Sequence, residues 1–173
     1  MTVSTPPTRL RPPRHRVDPR ARRWWTAQAL LCLSGPLLLT ALATAVLARL
    51  FFAGTLPWLL PLLAVVLVAP ALVHLLAVPR MRYAVHGWEV GSEAVYAASG
   101  WWWRRRRIAP LSRVQTVDTV QGPLQRRFGL ATVVVTTAST AGDVRIAGLS
   151  DAAAEELARR VGRAAQAVAG DAA

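Results

Sequence analysis

The sequence predicts a mixed α+β and all-β architecture: a two-helix transmembrane hairpin, then an antiparallel β-sandwich or barrel with a C-terminal α-helix. Three observations carry this. Residues 24–79 hold most of the apolar excess and one charge, Arg49. From Arg80 onward, short β-branched runs alternate with Gly, Pro and Ser turn signals. The stretch after Ser150 repeats apolar residues at helical spacing. With 173 residues, the chain has room for one ordinary domain beside the hairpin.

Composition excludes several function classes. The chain is 53% hydrophobic yet carries a formal charge of +12, because its arginines flank the apolar block. All 21 basic residues are arginine. Without lysine there is no P-loop, whose lysine reaches the β/γ-phosphates, and no Schiff-base mechanism. Cys32 stands alone, so an intramolecular disulfide or a cysteine cluster on a metal is impossible, and packing is its expected role.

Residues 1–23 are rich in Pro and Arg and lack periodicity, which predicts a disordered basic tail. Residues 24–79 form the hairpin, with spans at about 27–48 and 58–78. Each has the roughly 20 residues, at about 1.5 Å rise, that a bilayer core of about 30 Å needs. Pro36, Pro61 and Pro70 are tolerated in membrane helices. The short connector, with Gly54 and Pro57, makes the helices antiparallel.

Orientation follows from arginine placement. The tail carries seven arginines against one aspartate, and Arg80 and Arg82 follow the second span. Both termini are therefore expected in the cytoplasm of a bacterial cell, with the protein multi-pass in the inner membrane. Trp24, Trp25 and Trp58, with Arg80 and Arg82, are the expected interface anchors. A signal peptide is the rival reading of Arg22-Arg23 and the run behind them, but a second span follows at once.

Residues 80–168 form the expected cytoplasmic domain, with 169–173 a second disordered tail. Strands are predicted at 82–90, 93–99, 101–108, 112–120, 130–138 and 143–149. Ala131, Val133 and Val135 share one face, as do Val144 and Ile146. Between strands, Pro123 and Gly129 bracket a single helical turn that places Leu124 and Phe128 in the core and Arg126 and Arg127 in solvent. Ser150 caps the last helix, whose stripe is Ala154, Leu157, Ala158, Val161, Ala165 and Val168. Pairs Glu155/Arg159 and Glu156/Arg160 stand at i,i+4.

Residues 107–139, "RIAPLSRVQTVDTVQGPLQRRFGLATVVVTTAS", resemble the core of the YdbS-like bacterial pleckstrin-homology (PH) membrane proteins. The matching positions are Pro110, Arg113-Val114-Gln115, Asp118, Gln121-Gly122-Pro123-Leu124, Arg126, Phe128-Gly129-Leu130 and the strand end at Thr136-Thr137-Ala138. The resemblance implies a PH-like fold attached to a membrane. It also implies partnership with another membrane protein, such as a larger relative with similar domains. The lysine-containing phosphoinositide motif of eukaryotic PH domains is absent, so headgroup recognition does not come with the fold.

The stretch "GWWWRRRRIAP" (residues 100–110) is the principal binding candidate. Gly100 is read as a hairpin turn and the rest as a strand, with Trp101, Trp103, Arg105 and Arg107 on one face and Trp102, Arg104, Arg106 and Ile108 on the other. A core face cannot bury two unpaired arginines. Either a bulge resets the register, or the tryptophan end packs while the arginine end runs past the core. A membrane-facing Trp/Arg edge is the alternative. Arg126 and Arg127 complete the candidate lipid- or partner-binding set.

No catalytic, metal or cofactor site is expected. His15, His74 and His86 have no partners at ligand spacing, and neither paired carboxylates nor a nucleophile elbow occurs. His74, inside the second span, can reach headgroups or a neighbouring helix. Arg113 and Asp118 are expected to form a structural salt bridge, and Gln121 to bond the turn after it. Nucleic acid is disfavoured: residues 80–173 carry 13 arginines against eight acids, and no recognition helix or RNP-like motif is present. The function expected is a non-enzymatic, membrane-anchored interaction module that assembles with another membrane protein. Its alternatives are an anionic-lipid sensor of the envelope and, remotely, a tethered nucleic-acid binder.

Overall fold

A computed structural model describes residues 13–51, 56–138 and 142–170. Helix α1 (Arg20–Phe51) and helix α2 (Leu56–Val85) form the hairpin. Within them, Arg20–Leu50 and Leu62–Val85 are long and apolar enough to cross a membrane. They run antiparallel, since the Arg22 guanidinium near the start of α1 lies 5.8 Å from the Tyr83 ring near the end of α2. Leu31, Leu38, Leu39, Leu42, Val65 and Val73 are exposed on the helix surfaces, as side chains facing lipid rather than protein must be. Pro36 leaves α1 unbroken, and its carbonyl accepts a bond from Thr40 Oγ1 at 2.8 Å. The connector between the helices lies outside the described residues, as does the side chain of Trp58.

Two antiparallel sheets follow. The first, ordered β1-β2-β3-β4, joins β1 (His15–Arg16), β2 (Gly87–Val90), β3 (Ala94–Ser99) and β4 (Arg105–Pro110). A 3₁₀ turn at Leu111–Arg113 leads to the second, ordered β5-β6-β7: β5 (Val114–Val120), β6 (Leu130–Thr137) and β7 (Val144–Ser150). Helix α3 (Pro123–Arg127) sits between β5 and β6, and helix α4 (Asp151–Gly170) closes the domain. The sheets pack as a sandwich and do not close into a barrel.

The main core lies between the sheets and α4. Val95, Val133, Val135, Leu111, Ala154, Leu157 and Val161 are at most 2% exposed, so the alternation read along residues 131–135 and the stripe on α4 hold. Ser150 Oγ accepts the Ala153 N–H at 3.3 Å, capping α4 as expected. A second core is built from Val17, Ala21, Trp25 and Leu130, with Trp24, Tyr83 and Phe128 against it. This one joins the hairpin to the sandwich.

Several expectations are corrected. The basic segment before the hairpin is not wholly disordered: His15↔Trp88 and Arg16↔Gly87 pair as β1 and β2, Val17 is buried, and Arg20–Arg23 belong to α1. Its first 12 residues lie outside the described set. A short basic stretch hides this strand because β2 supplies the hydrogen bonds and Trp88 stacks on His15 at 4.7 Å. Residues 82–85 are helical, because no glycine interrupts α2 before Gly87; the His86 N–H then bonds the Arg82 carbonyl at 2.9 Å. Helix α4 runs to Gly170, past the expected start of a tail, and residues 171–173 are not described.

Smaller corrections follow from local chemistry. In α3 the fully enclosed residue is Gln125, not Leu124, which is half-buried with Phe128. Gln125 Oε1 accepts the Gly122 N–H at 3.0 Å while its Nε2 donates to Thr132 Oγ1 at 2.7 Å. The flanking residues behave as read, with Pro123 opening the turn and Gly129 closing it at φ +62°. Among the described residues, Arg113 and Asp118 form no ion pair. Asp118 accepts from Thr116 Oγ1, and the Arg113 carbonyl accepts the Ala138 N–H. On α4, Glu156 pairs with Arg159 at 2.8 Å and Arg163 at 3.7 Å rather than Arg160, while Glu155 meets Arg159 at 3.6 Å.

Candidate membrane-facing site

The tryptophans of residues 101–103 are not in a strand. They form the turn between β3 and β4, and Arg105 is the first residue of β4. Gly100 makes this possible. Its φ is +116°, and a β-carbon there would stand 1.9 Å from the Trp103 carbonyl oxygen. The chain therefore folds back at once and pushes three indoles outward. Trp102 and Trp103 are 72% and 77% exposed, and Trp101 is 37% exposed. This removes the register conflict read from strict alternation, because the strand begins only at Arg105, past all three tryptophans.

Trp101 is held on the hairpin. Its ring meets His74 of α2 edge-on at 5.9 Å, and Trp102 leans on it at 6.1 Å. Six residues separate His74 from Arg80, which at about 1.5 Å per residue places His74 about 9 Å further along the helix, inside the apolar span. The indole turn thus reaches past the basic end of α2.

Behind the turn is a groove of about 500 Å³, lined by Trp24 and Gln28 of α1, Arg82 of α2, His86, Trp101, Trp103 and Arg105. Burial is the main cause holding the His86 imidazole below its ordinary range, and the positive charge of Arg82 adds to it. The His86 bond to the Arg82 carbonyl, 2.7 Å from Nδ1, opposes the shift. A carbonyl only accepts, so Nδ1 carries the proton. Arg104, Arg105 and Arg106 are exposed, while Arg107 is half-buried and donates from Nη1 to the Asp143 carbonyl at 2.6 Å. That bond ties β4 to the segment entering β7.

The predicted residues thus separate into groups. Trp101, Trp102, Trp103 and Arg104–Arg107 stand together on one turn and strand. Arg126 and Arg127 are exposed on α3 and do not line the groove. Trp25 is corrected from interface anchor to core residue: it is 4% exposed, between Trp24 at 5.7 Å and His86 at 4.8 Å. Trp24 is half-buried and Arg82 half-buried, while Arg80 is exposed with Nη1 on the Leu76 carbonyl. Of the motif positions, Pro110 and Arg113 serve the strand end and the 3₁₀ turn, Gln115 the bulge, and Gly122, Pro123, Phe128 and Gly129 the α3 turn, while Asp118 lies within β5 opposite Val134. Gln121, expected to bond its own turn, reaches further and donates to the Leu130 carbonyl and Asp151 Oδ1.

Sequence reasoning missed the joint formed by Val17, Ala21, Trp25 and Gly148. Val17 within an arginine-rich segment was its one apolar signal. Among the described residues no group of three His, Cys, Asp or Glu side chains converges as metal ligands would.

Comparison with known proteins agrees with this architecture. A family model described as bacterial PH domain matches residues 34–165. The UPF0699 transmembrane protein YdbS of Bacillus subtilis (strain 168) is 33% identical over 128 residues, which cover 74% of this chain and 79% of that protein. No solved structure matches. With two membrane-length helices joined to a two-sheet antiparallel sandwich and a closing helix, the chain belongs to the bacterial PH domain family and is a YdbS-like membrane protein.

Proposed function

We propose that this protein is a non-enzymatic binding module of the bacterial cell membrane, with both termini cytoplasmic and its PH-like domain pressed against the inner leaflet. Trp101–Trp103 sit in the interface and Arg104–Arg106 lie over anionic headgroups. The contact of Trp101 with His74 carries this reading, because it sets an exposed three-indole turn beside an apolar span. Indoles favour the headgroup level, where an apolar body and one N–H donor are both satisfied. Basic residues just above contribute about 1 kcal/mol each against an anionic surface. Held there by the hairpin, the domain meets ligands at high effective concentration. Assembly with a second membrane protein is the competing use of the same surface.

The test uses the full chain, since a fragment starting at Met81 would lose β1 and the Val17, Ala21 and Trp25 half of the second core. A spin label on Trp102→Cys, in a Cys32→Ala background, is placed in nanodiscs containing phosphatidylglycerol. Oxygen accessibility above that of a water-soluble nickel chelate is expected, against the reverse for Asp151→Cys on α4. Water accessibility equal to that of Asp151→Cys would overturn the lipid-facing reading. Crosslinking of a membrane protein at position 102 in cells would place a partner there instead.

A further inference from the structure

A second groove, of about 830 Å³, opens on the hairpin and takes no part in the Trp turn. Arg20, Arg22, Arg23, Arg80 and Tyr83 line its upper part, and Leu30, Leu75 and Leu76 its lower part. Its volume falls within the roughly 300–1,000 Å³ of sites that hold discrete ligands. We infer that this groove seats one anionic phospholipid, its phosphate among the arginines and an acyl chain along the leucines.

Two considerations support that occupant. Four arginines line one opening with no carboxylate among them, and among the described residues none of the four forms an ion pair. Asp18, the nearest carboxylate in sequence, accepts the Arg20 backbone N–H at 2.8 Å and does not line the groove. Like charges around one opening repel, so an anion among them lowers the energy of the set. The guanidinium of Arg22 is placed over the Tyr83 ring, 5.8 Å from its centre, which holds one donor fork at the wall.

The second consideration is polarity along the helix axis. Arg23 and Leu30 are seven residues apart, so the wall passes from cationic to wholly apolar within about 10 Å. A soluble anion would use the upper part only. A phospholipid uses both, and basic pockets between membrane helices suit such headgroups.

The inference rests on the reading that the hairpin spans a bilayer, and not on the depth of the Trp turn. The full chain is delipidated in a neutral detergent, and phosphatidylglycerol or phosphatidylcholine is titrated back under native mass spectrometry. One phosphatidylglycerol per chain is expected, bound at least about tenfold more tightly than phosphatidylcholine. The Arg23→Gln/Arg80→Gln variant should weaken it about 30-fold, the ratio two basic residues give near an anionic surface. Arg49→Gln, at the other end of α1, should leave binding unchanged. Thr26→Trp, which fills the groove with every arginine retained, should also abolish binding and covers the case in which the double variant fails to fold. Equal binding of the two lipids, an equal loss in Arg49→Gln, or displacement by soluble glycerol phosphate would overturn the assignment. A shallow label at position 102 with the lipid still bound would instead refute the Trp reading and leave this site standing.

Discussion

Gly148 lies directly against Ala21: a β-carbon on the glycine would stand 2.8 Å from the Ala21 β-carbon. The same atom would meet Val17 at 3.7 Å and Trp25 at 3.8 Å, and the Gly148 carbonyl accepts the Asp18 N–H at 2.9 Å. The first turn of the hairpin is therefore seated on β7, where the β6–β7 register shifts near Ala131 and Thr132. Gly148 also has φ +83°, so side chains are disfavoured there on two grounds.

Gly148→Ala should destabilise the full chain by about 2–4 kcal/mol, the sum of a left-handed alanine and overpacking. Thermal unfolding in detergent measures it. Adding Ala21→Gly removes the opposing β-carbon, so the double variant should be more stable than the two single losses added together. Strict additivity would mean that the strain is in the backbone alone.

Gln125 is the buried hinge of the α3 turn. Gln125→Leu keeps most of the volume but leaves the Gly122 N–H and Thr132 hydroxyl without their partner. The expected cost is about 1–3 kcal/mol, read by denaturant titration. Gln125→Glu should recover part of it, because a carboxylate still accepts the Gly122 N–H and the Thr132 hydroxyl can turn to donate to it in place of accepting.

His86 links stability to pH. Burial, and then the charge of Arg82, hold its folded value below the unfolded value of about 6.5. As pH falls through about 6.5, the unfolded chain takes up a proton before the folded one does. Stability is thus fully present above that pH and declines on acidification until the folded value is passed. His86→Gln keeps a donor for the Arg82 carbonyl and should flatten this slope. Denaturation midpoints at several pH values between about 5 and 7.5 decide it; an unchanged slope would assign the effect to another group.

How far the sequence carried the fold depends on which residues made the contacts. Periodicity was sufficient where one face of one element decides burial, as for Val133 and Val135 on β6 or Leu157 and Val161 on α4. Pro123 and Gly129 fixed α3 because each has a backbone preference independent of its neighbours. Periodicity failed where distant segments meet. Nothing local tells that His15 pairs with Trp88, or that Trp25 turns from lipid toward His86. The Trp turn was misread for a different reason. Alternation from Trp101 onward takes the turn to be Gly100 alone, whereas the reversal that its positive φ begins extends over Trp101–Trp103 and delays the strand until Arg105.

Fold and surface can be separated at the turn itself. Leu157 is 2% exposed, and Leu157→Ala should cost about 2–5 kcal/mol by opening a cavity under α4. Trp102→Ser/Trp103→Ser removes two rings that touch little protein, so the melting curve should move by no more than about 0.5 kcal/mol. Domain apposition to the bilayer should nonetheless loosen. The readout is a spin label on Arg104→Cys, compared in nanodiscs with and without the two serine substitutions, again with Cys32→Ala. Under the proposed membrane contact, greater water accessibility in the serine variant is expected, because the indoles would no longer draw β4 toward the headgroups. Unchanged accessibility with unchanged stability would show that the hairpin and the Val17–Trp25 joint alone hold the domain in place.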